Sequence, residues 1–441
     1  MENEKFEYLI DNKSIILNIG KDEFNIDYQK NILKEFGKEN AERIAENIIY
    51  LFTVPFGMIQ NNLDYKNRPF FEKLIQQGVI KDIPRIAEES GDDTSKLIST
   101  FNKVNLSFID NNARKLSIKK DNNPEDVIIG MSFGKDSLLS FGLAEEIGLD
   151  MNLVFFNDTE EIEAHEYKHK MALAREFSSK SKKEINIVRD NTDNIFTKKG
   201  KLIEEFIKTN AMLSYALEIL PLSHKYGSKY TVLGNEQNFN DVFINKDGFK
   251  AYPSYDQTSE YMAGMNNLLA RFGGEFQILS LIEPIYNIAE YKILNNRYPG
   301  LLRYIMSCSG DENERWCYNC PMCAKTYLYS QAVGIEPKKI GFKENFFDKK
   351  FEKFYPLFSK PTRAYEKPAA VRDEQLLAFY LAYKNDCKGY LIEKFKKKFI
   401  EEAKERQDEL FKKFFAVHDG KSMPMNLKNK VKPIFKEELS K

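Results

Sequence analysis

Val127-Ile128-Ile129-Gly130-Met131 runs directly into Ser132-Phe133-Gly134-Lys135-Asp136-Ser137, and Leu138, Leu139, Phe141, Leu143, Ala144 and Ile147 follow at helical spacing. The first segment reads as a short buried strand and the last as a helix. Strand, small-residue loop and helix in that order make a phosphate cradle. Loop N–H groups and the free N–H groups of the first helical turn converge there, and the helix dipole adds partial positive charge. Ser132, Ser137 and Lys135 offer two hydroxyls and an ammonium at the same place. Asp136 is the odd member, because a carboxylate beside phosphates is repulsive unless Mg²⁺ or a hydrogen-bond role compensates.

The loop is not a Walker A motif, which needs G-x-x-x-x-G-K-[ST]; here Gly130 and Gly134 enclose three residues and Asp follows the Lys. It resembles instead S-G-G-x-D-S, the pyrophosphatase loop of ATP-cleaving adenylating enzymes. Ser132, Gly134, Asp136 and Ser137 match the fixed positions and Lys135 fills the free one. Phe133 stands where the first Gly belongs. A Phe takes positive φ only at a cost, so either that Gly is not needed for its backbone or the loop is altered. An ordinary βα turn with polar caps is the plain alternative.

Four of the five cysteines fall in Cys308-x8-Cys317-x2-Cys320-x2-Cys323. Interlocked C-x-x-C spacing puts thiolates on tight turns, within reach of one tetrahedral Zn²⁺ about 2.3 Å from each sulfur. An all-cysteine set predicts a closed, structural site. A redox dithiol and disulfides are the competing readings. The polar start Met1-Glu2-Asn3-Glu4-Lys5 has no apolar leader, so a cytoplasmic setting with reduced thiols is expected. Cys387 lies alone in a helical stretch.

Loop and cysteine set together resemble 7-cyano-7-deazaguanine synthase, within the PP-loop ATP pyrophosphatases. That family uses ATP to convert a deazaguanine carboxylate to an amide and then a nitrile, with ammonia as nitrogen source. The likeness covers about residues 122–345. Leu153-Val154-Phe155-Phe156 matches its short strand ending in an aromatic residue. Asn210 matches an Asn opening a helix, although Thr209 stands where the family has Arg. Val232-Leu233-Gly234-Asn235-Glu236 with Asp241 matches a strand end. Tyr252-Pro253 survives from a Y-P-D-C-R segment whose Asp, Cys and Arg are lost. Glu283-Pro284-Ile285, then Ala289-Glu290, resembles the segment before the zinc loop.

The resemblance implies ATP, Mg²⁺ and Zn²⁺ as cofactors. Ser132, Phe133, Gly134, Lys135, Asp136 and Ser137 would hold pyrophosphate, with Lys135 neutralising it and Asp136 binding Mg²⁺ or orienting the loop. Asn210, Gly234, Glu236, Asp241 and Tyr252 would hold a deazaguanine carboxylate. The family also has longer relatives in antiviral-defence operons that attach a deazapurine to a protein, and the extra ends of this chain fit such a relative with a protein acceptor. Sulfur transfer or tRNA modification, and nucleotide binding without turnover, are the other readings.

The chain has 441 residues, with 42% hydrophobic residues and 66 Lys+Arg against 66 Asp+Glu. Zero net charge supplies no general pull toward nucleic acid or an anionic membrane, and no apolar run reaches the roughly 18–20 residues of a membrane helix. The expected class is α/β with a doubly wound parallel sheet. Strands are expected at Val127–Gly130, Leu153–Phe156, Glu184–Val188 and Tyr230–Leu233, alternating with helices around 138–147, 163–177, 202–208 and 211–219. Ligands of such sheets bind beyond the carboxyl ends of the strands.

Three units are expected. Residues 1–121 read as a separate, mainly helical domain entered by a hairpin, Phe6–Ile10 and Ile15–Ile19 around Asp11-Asn12-Lys13. Residues 122–345 carry the nucleotide loop and the cysteines, the boundary being Asp121-Asn122-Asn123-Pro124. Residues 346–441 form a helical extension. From Lys388 onward it has 15 Lys/Arg against nine Asp/Glu, a pattern of amphipathic helices packed on the body rather than a nucleic-acid arm. His165-Glu166-Tyr167-Lys168-His169 matches the H-E-x-x-H metal motif in letters, but in a βα unit an exposed helix face is the plainer reading.

Overall fold

The computed structural model describes residues 5–118, 123–158, 163–272, 275–361 and 363–440. Residues 1–4 and the boundary residues Asp121 and Asn122 lie outside them. The centre is an eight-stranded sheet in the order Phe6–Ile10, Ser14–Ile19, Asp22–Tyr28, Ile185–Asp190, Asp150–Asn157, Asn123–Gly130, Ser228–Val232, Gln277–Leu279. The last five strands run parallel, and the first three are antiparallel additions at one edge. The mixed α/β class with a large, mainly parallel sheet is therefore present.

Side-chain alternation along these strands creates two cores. Val127, Ile129, Leu153 and Phe155 point to one face; Ile128, Val154 and Val188 point to the other. The first face is covered by Lys135–Glu146, Ala164–Ser181 and Asn287–Arg297, together with the C-terminal helices. The second is covered by Ala211–Tyr226, Ser259–Leu269 and the N-terminal helices Lys38–Thr53 and Glu72–Ser90. Near-continuous apolar runs such as Val127-Ile128-Ile129 follow from burial on both faces.

This arrangement corrects the expectation of a separate N-terminal unit. The hairpin forms as expected, its turn closed by Lys13 and Ser14 N–H donating to Asp11 Oδ1, each at 2.7 Å. Its continuation, Asp22–Tyr28, then pairs with Ile185–Asp190, so residues 6–28 extend the central sheet. Backbone groups left open on an edge strand were the sites available for that pairing. The helix expected over 202–208 is reduced to a turn, Lys201–Glu204. At the other end, Tyr390–Lys398 and Ile400–Phe414 bury Leu391, Phe395, Ala403, Leu410 and Phe414 in the first core, as their spacing predicts. No helix among the described residues is long and apolar enough to cross a membrane.

Candidate functional site

The loop of residues 132–134 leaves the carboxyl end of Asn123–Gly130 and enters the helix Lys135–Glu146, with Gly134 as its N-cap. Ser132 Oγ accepts from Gly134 N–H at 3.4 Å and donates to Ser137 Oγ at 3.4 Å, while Ser137 Oγ donates to the Gly134 carbonyl at 3.1 Å. Both hydroxyls thus face the first helical turn, where backbone N–H groups have no partner within the helix.

Phe133 adopts φ +62°, in the left-handed region that glycine favours. The backbone requirement implied by the missing glycine is therefore real, and a Phe meets it. Such a conformation costs a non-glycine residue about 1–3 kcal/mol. It is offset by burial: the side chain is fully enclosed, with ring centroids 5.9 Å from Phe177 and 6.3 Å from Phe155, which contributes roughly 1.5–3 kcal/mol. Met306 N–H donates to the Phe133 carbonyl at 2.8 Å, tying the loop to the chain two residues before Cys308.

Lys135 is 4% exposed and turned inward. Its Nζ lies 2.5 Å from Asp136 Oδ1, 2.6 Å from Glu236 Oε2 and 3.3 Å from Glu290 Oε1. Gly234 allows this convergence: a Cβ there would lie 2.8 Å from Asp136 Cβ. Although burial opposes it, the Lys135 ammonium draws Glu236 down to about 2. Burial pushes Glu290 well above the carboxylate range, and its Oε2 has no hydrogen-bond partner. One ammonium against three carboxylates leaves the cluster short of positive charge. A carboxylate oxygen from each of Asp136, Glu236 and Glu290 falls within 4.8 Å of the others. The all-oxygen donor set suits a hard divalent cation such as Mg²⁺, while the Lys135 ammonium bonds to all three carboxylates.

The four cysteines converge as their spacing predicts, each with a free thiol. Cys317 Sγ lies 3.9 Å from Cys323 Sγ, and Cys320 Sγ lies 3.7 Å from Cys308 Sγ. A tetrahedron with about 2.3 Å arms has edges of about 3.8 Å, so the cage can hold a metal such as zinc. Backbone N–H groups of Gly310 and Cys317 donate to Cys308 Sγ, that of Asn319 to Cys317 Sγ, and that of Cys323 to Cys320 Sγ, at 3.3–3.4 Å. Contacts with the Cys308 and Cys323 thiols hold the Cys320 thiol down at about 4. Cys320 also caps the helix Pro321–Ala332.

That helix carries Lys325, which donates to Asn287 Oδ1 at 3.4 Å and whose charge acts on both Asp136 and Glu236. Lys325 is half-buried, so it keeps a face that Lys135 lacks. The cysteine cage thereby sets a second cation beside the loop. No sequence signal marked Lys325. Glu290 had one, its place after the Glu283-Pro284-Ile285 segment.

The remaining expected residues divide. Gly234 and Glu236 stand at the loop. Asp241 accepts from Tyr286 O–H at 3.2 Å and keeps a buried, unpartnered Oδ2. Asn210 stands at the N-cap of Ala211–Tyr226, opening a helix as expected. It adopts φ +64°, donates to the Ile75 carbonyl at 3.1 Å and accepts from Tyr261 O–H at 2.7 Å, so its amide is spent joining helices. Tyr252 is buried against Tyr255, ring centroids 5.3 Å apart. Tyr252 and Tyr255 belong to the core on the face opposite Phe133. In the His165/His169 motif, His169 Nε2 sits 2.8 Å from the Asp311 carbonyl, fastening its helix to the cysteine loop. Among the described residues the cysteine set and the Asp136/Glu236/Glu290 set are the two groups arranged for a metal, and neither includes a histidine.

No protein-family model matches the chain, and no curated protein matches it.

Proposed function

We propose that the chain is an ATP-dependent adenylating enzyme that activates a small-molecule carboxylate, of the deazaguanine type, for C–N bond formation. The observation that carries this reading is the juxtaposition at one strand end. A helix N-terminus flanked by Ser132 and Ser137 stands beside the Asp136/Glu236/Glu290 cluster, and the charge of Lys325 acts on Asp136 and Glu236. Phosphate oxygens suit the first element and a phosphate-bound divalent cation the second.

In the reaction, a carboxylate oxygen of the substrate attacks the α-phosphorus of ATP. A new O–P bond forms, the bond from the α-phosphorus to the bridging oxygen breaks, and pyrophosphate leaves. An amine nitrogen then attacks the acyl carbon and loses a proton, and AMP leaves. Ser132, Ser137 and the helical N–H groups hold pyrophosphate, and Lys325 neutralises charge developing on it. Asp136, Glu236 and Glu290 would hold Mg²⁺, which supplies charge neutralisation at the phosphates. Lys135 keeps that carboxylate set assembled. The cysteine cage, loaded with zinc, acts as a structural clamp on the loop and on Lys325. Carboxylate-dependent exchange of labelled pyrophosphate into ATP tests the reading. Exchange with AMP as the nucleotide product supports it; ADP as the product overturns it.

A further inference from the structure

Glu374 stands in the first half of the helix Ala369–Lys384, within the C-terminal extension, and is 3% exposed. Its carboxyl group joins the two helices that carry Glu290 and Lys325. Oε1 accepts from Ile288 N–H at 2.9 Å, and Oε2 accepts from Tyr329 O–H at 3.1 Å. Ile288 lies in the first turn of Asn287–Arg297, where N–H groups have no partner within the helix, and the N-cap Tyr286 supplies no side-chain hydrogen bond. Glu374 caps that turn instead, from 86 residues along the chain, and a carboxylate suits the positive end of the helix dipole. Glu290 belongs to the same turn, two residues after Ile288. Tyr329 follows Lys325 by four residues on Pro321–Ala332, so the two share a helix face. The charges of Glu236 and Lys325 both act on Glu374. The two helices also meet directly: Lys325 Nζ donates to Asn287 Oδ1 at 3.4 Å, Tyr291 O–H donates to Thr326 Oγ1 at 3.2 Å, and the rings of Tyr291 and Tyr329 lie 6.2 Å apart. Burying a carboxyl group is costly even when it is hydrogen-bonded, and packing alone would be served by an apolar side chain. The cost suits a group whose two acceptor oxygens fix one helix against the other.

We propose that Glu374 is a positioning residue that holds Glu290 and Lys325 in register beside the loop, so that the C-terminal extension is part of the site rather than an appendage to it. Glu374 acts through Ile288 and Tyr329 and touches no reacting group. One carboxyl group sets the first turn of Asn287–Arg297 against the face of Pro321–Ala332 that bears Lys325, and so sets an anion of the carboxylate cluster against the cation beside it. The effect on turnover rests on the adenylating function proposed above; the positioning of Lys325 does not.

The test uses the full chain, zinc-loaded, and three variants. Glu374→Gln keeps an acceptor oxygen for Ile288 N–H and an amide group for the Tyr329 hydroxyl. Glu374→Ala removes both links, and Tyr329→Phe removes one without opening a cavity. The first readout is the NMR signal of Lys325 in protein carrying isotope-labelled methyl groups on its lysines, assigned by its loss in Lys325→Arg. That signal should move in Glu374→Ala and in Tyr329→Phe and stay in place in Glu374→Gln. The second is exchange of labelled pyrophosphate into ATP. Its kcat should fall about tenfold to a hundredfold in Glu374→Ala, the range for a displacement approaching about 1 Å, while the KM for ATP changes less. Glu374→Gln should recover most of that loss, which a general weakening of the fold would not predict. Zinc content and thermal midpoints show whether each variant folds; if Glu374→Ala does not, Tyr329→Phe decides. A Lys325 signal unmoved in the folded variants, full exchange in Glu374→Ala, or equal loss in the Gln and Ala variants overturns the proposal. Absence of exchange in every protein, the unsubstituted chain included, beside a displaced Lys325 signal removes the reaction and leaves the positioning.

Discussion

Lys135 Nζ lies 2.6 Å from Glu236 Oε2, across 101 residues of chain, with the Lys135 side chain almost wholly buried. Lys135 is thus an internal counter-ion, and the half-buried Lys325 is the second cation acting on Asp136 and Glu236. This separates their expected phenotypes. Lys325→Ala should lower the rate of pyrophosphate release by about tenfold to a thousandfold with little change in stability, the range for losing a group that acts on developing charge. Lys135→Ala leaves the buried Glu236 and Glu290 and the partly exposed Asp136 without their partner and should destabilise the fold by several kcal/mol. Rate measurements beside denaturation curves check both; equal loss of activity and stability in Lys325→Ala would count against its role.

The cysteine cage should contain one Zn²⁺ per chain. Cys317→Ser should abolish retention of the metal and lower the unfolding midpoint, because thiolate sites contribute folding energy directly. Elemental analysis of protein purified without chelator decides the matter. Since Met306 N–H holds the Phe133 carbonyl, chelation should also reduce ATP turnover before global unfolding.

Phe133→Gly separates backbone from core. Glycine takes positive φ freely, so the loop should keep its shape and the KM for ATP should change little. The lost ring leaves a cavity, however, and large aromatic truncations cost about 3–5 kcal/mol, against about 1–2 kcal/mol regained from relieved strain. Denaturant unfolding should show a net loss. A more stable variant would mean that the packing of Phe133 does not offset its conformation.

Gly234→Ala places a Cβ 2.8 Å from Asp136 Cβ. Asp136 must move, and a displacement near 1 Å in a catalytic group can cost about a hundredfold in rate. Activity should fall while zinc content is unchanged. Full activity in this variant would show that Asp136 tolerates displacement.

Stability should decline as pH rises from about 4 to about 7. Burial holds Asp190 and Glu374 up at about 7 and Asp256 at about 6. In that window the folded chain retains protons that the unfolded chain releases, so their contribution is full below the ordinary carboxylate range and is lost as pH passes the raised values. Thermal midpoints in buffers free of Mg²⁺ should fall from pH 5 to pH 8, and Asp190→Asn should flatten part of the slope. A midpoint that climbs across the window would refute the assignment.

Much of the first-core half was legible locally. The run Val127-Ile128-Ile129, the loop that follows and the spacing of Leu138, Leu139 and Phe141 specify strand, cradle and helix through short-range sterics and periodicity. The four cysteines announce a cage because tight C-x-x-C turns leave few other geometries. The destination of Asp22–Tyr28 was not legible, since an edge strand can pair with any open edge and the choice of Ile185–Asp190 depends on contacts far along the chain. Nor was the spending of Asn210 on Ile75 and Tyr261, which depends on how two helices pack. The sequence by itself determined the α/β class, the strand–loop–helix turn around Gly134 and the convergence of four cysteine thiols, because each is encoded by neighbours within a few residues. Only the tertiary structure decided that Lys135 points inward, that Glu236 and Glu290 join Asp136, and that Asp158, Asp190 and Asp193 line a cavity beside Tyr215, because the charge and burial that define those groups come from segments brought together only by packing.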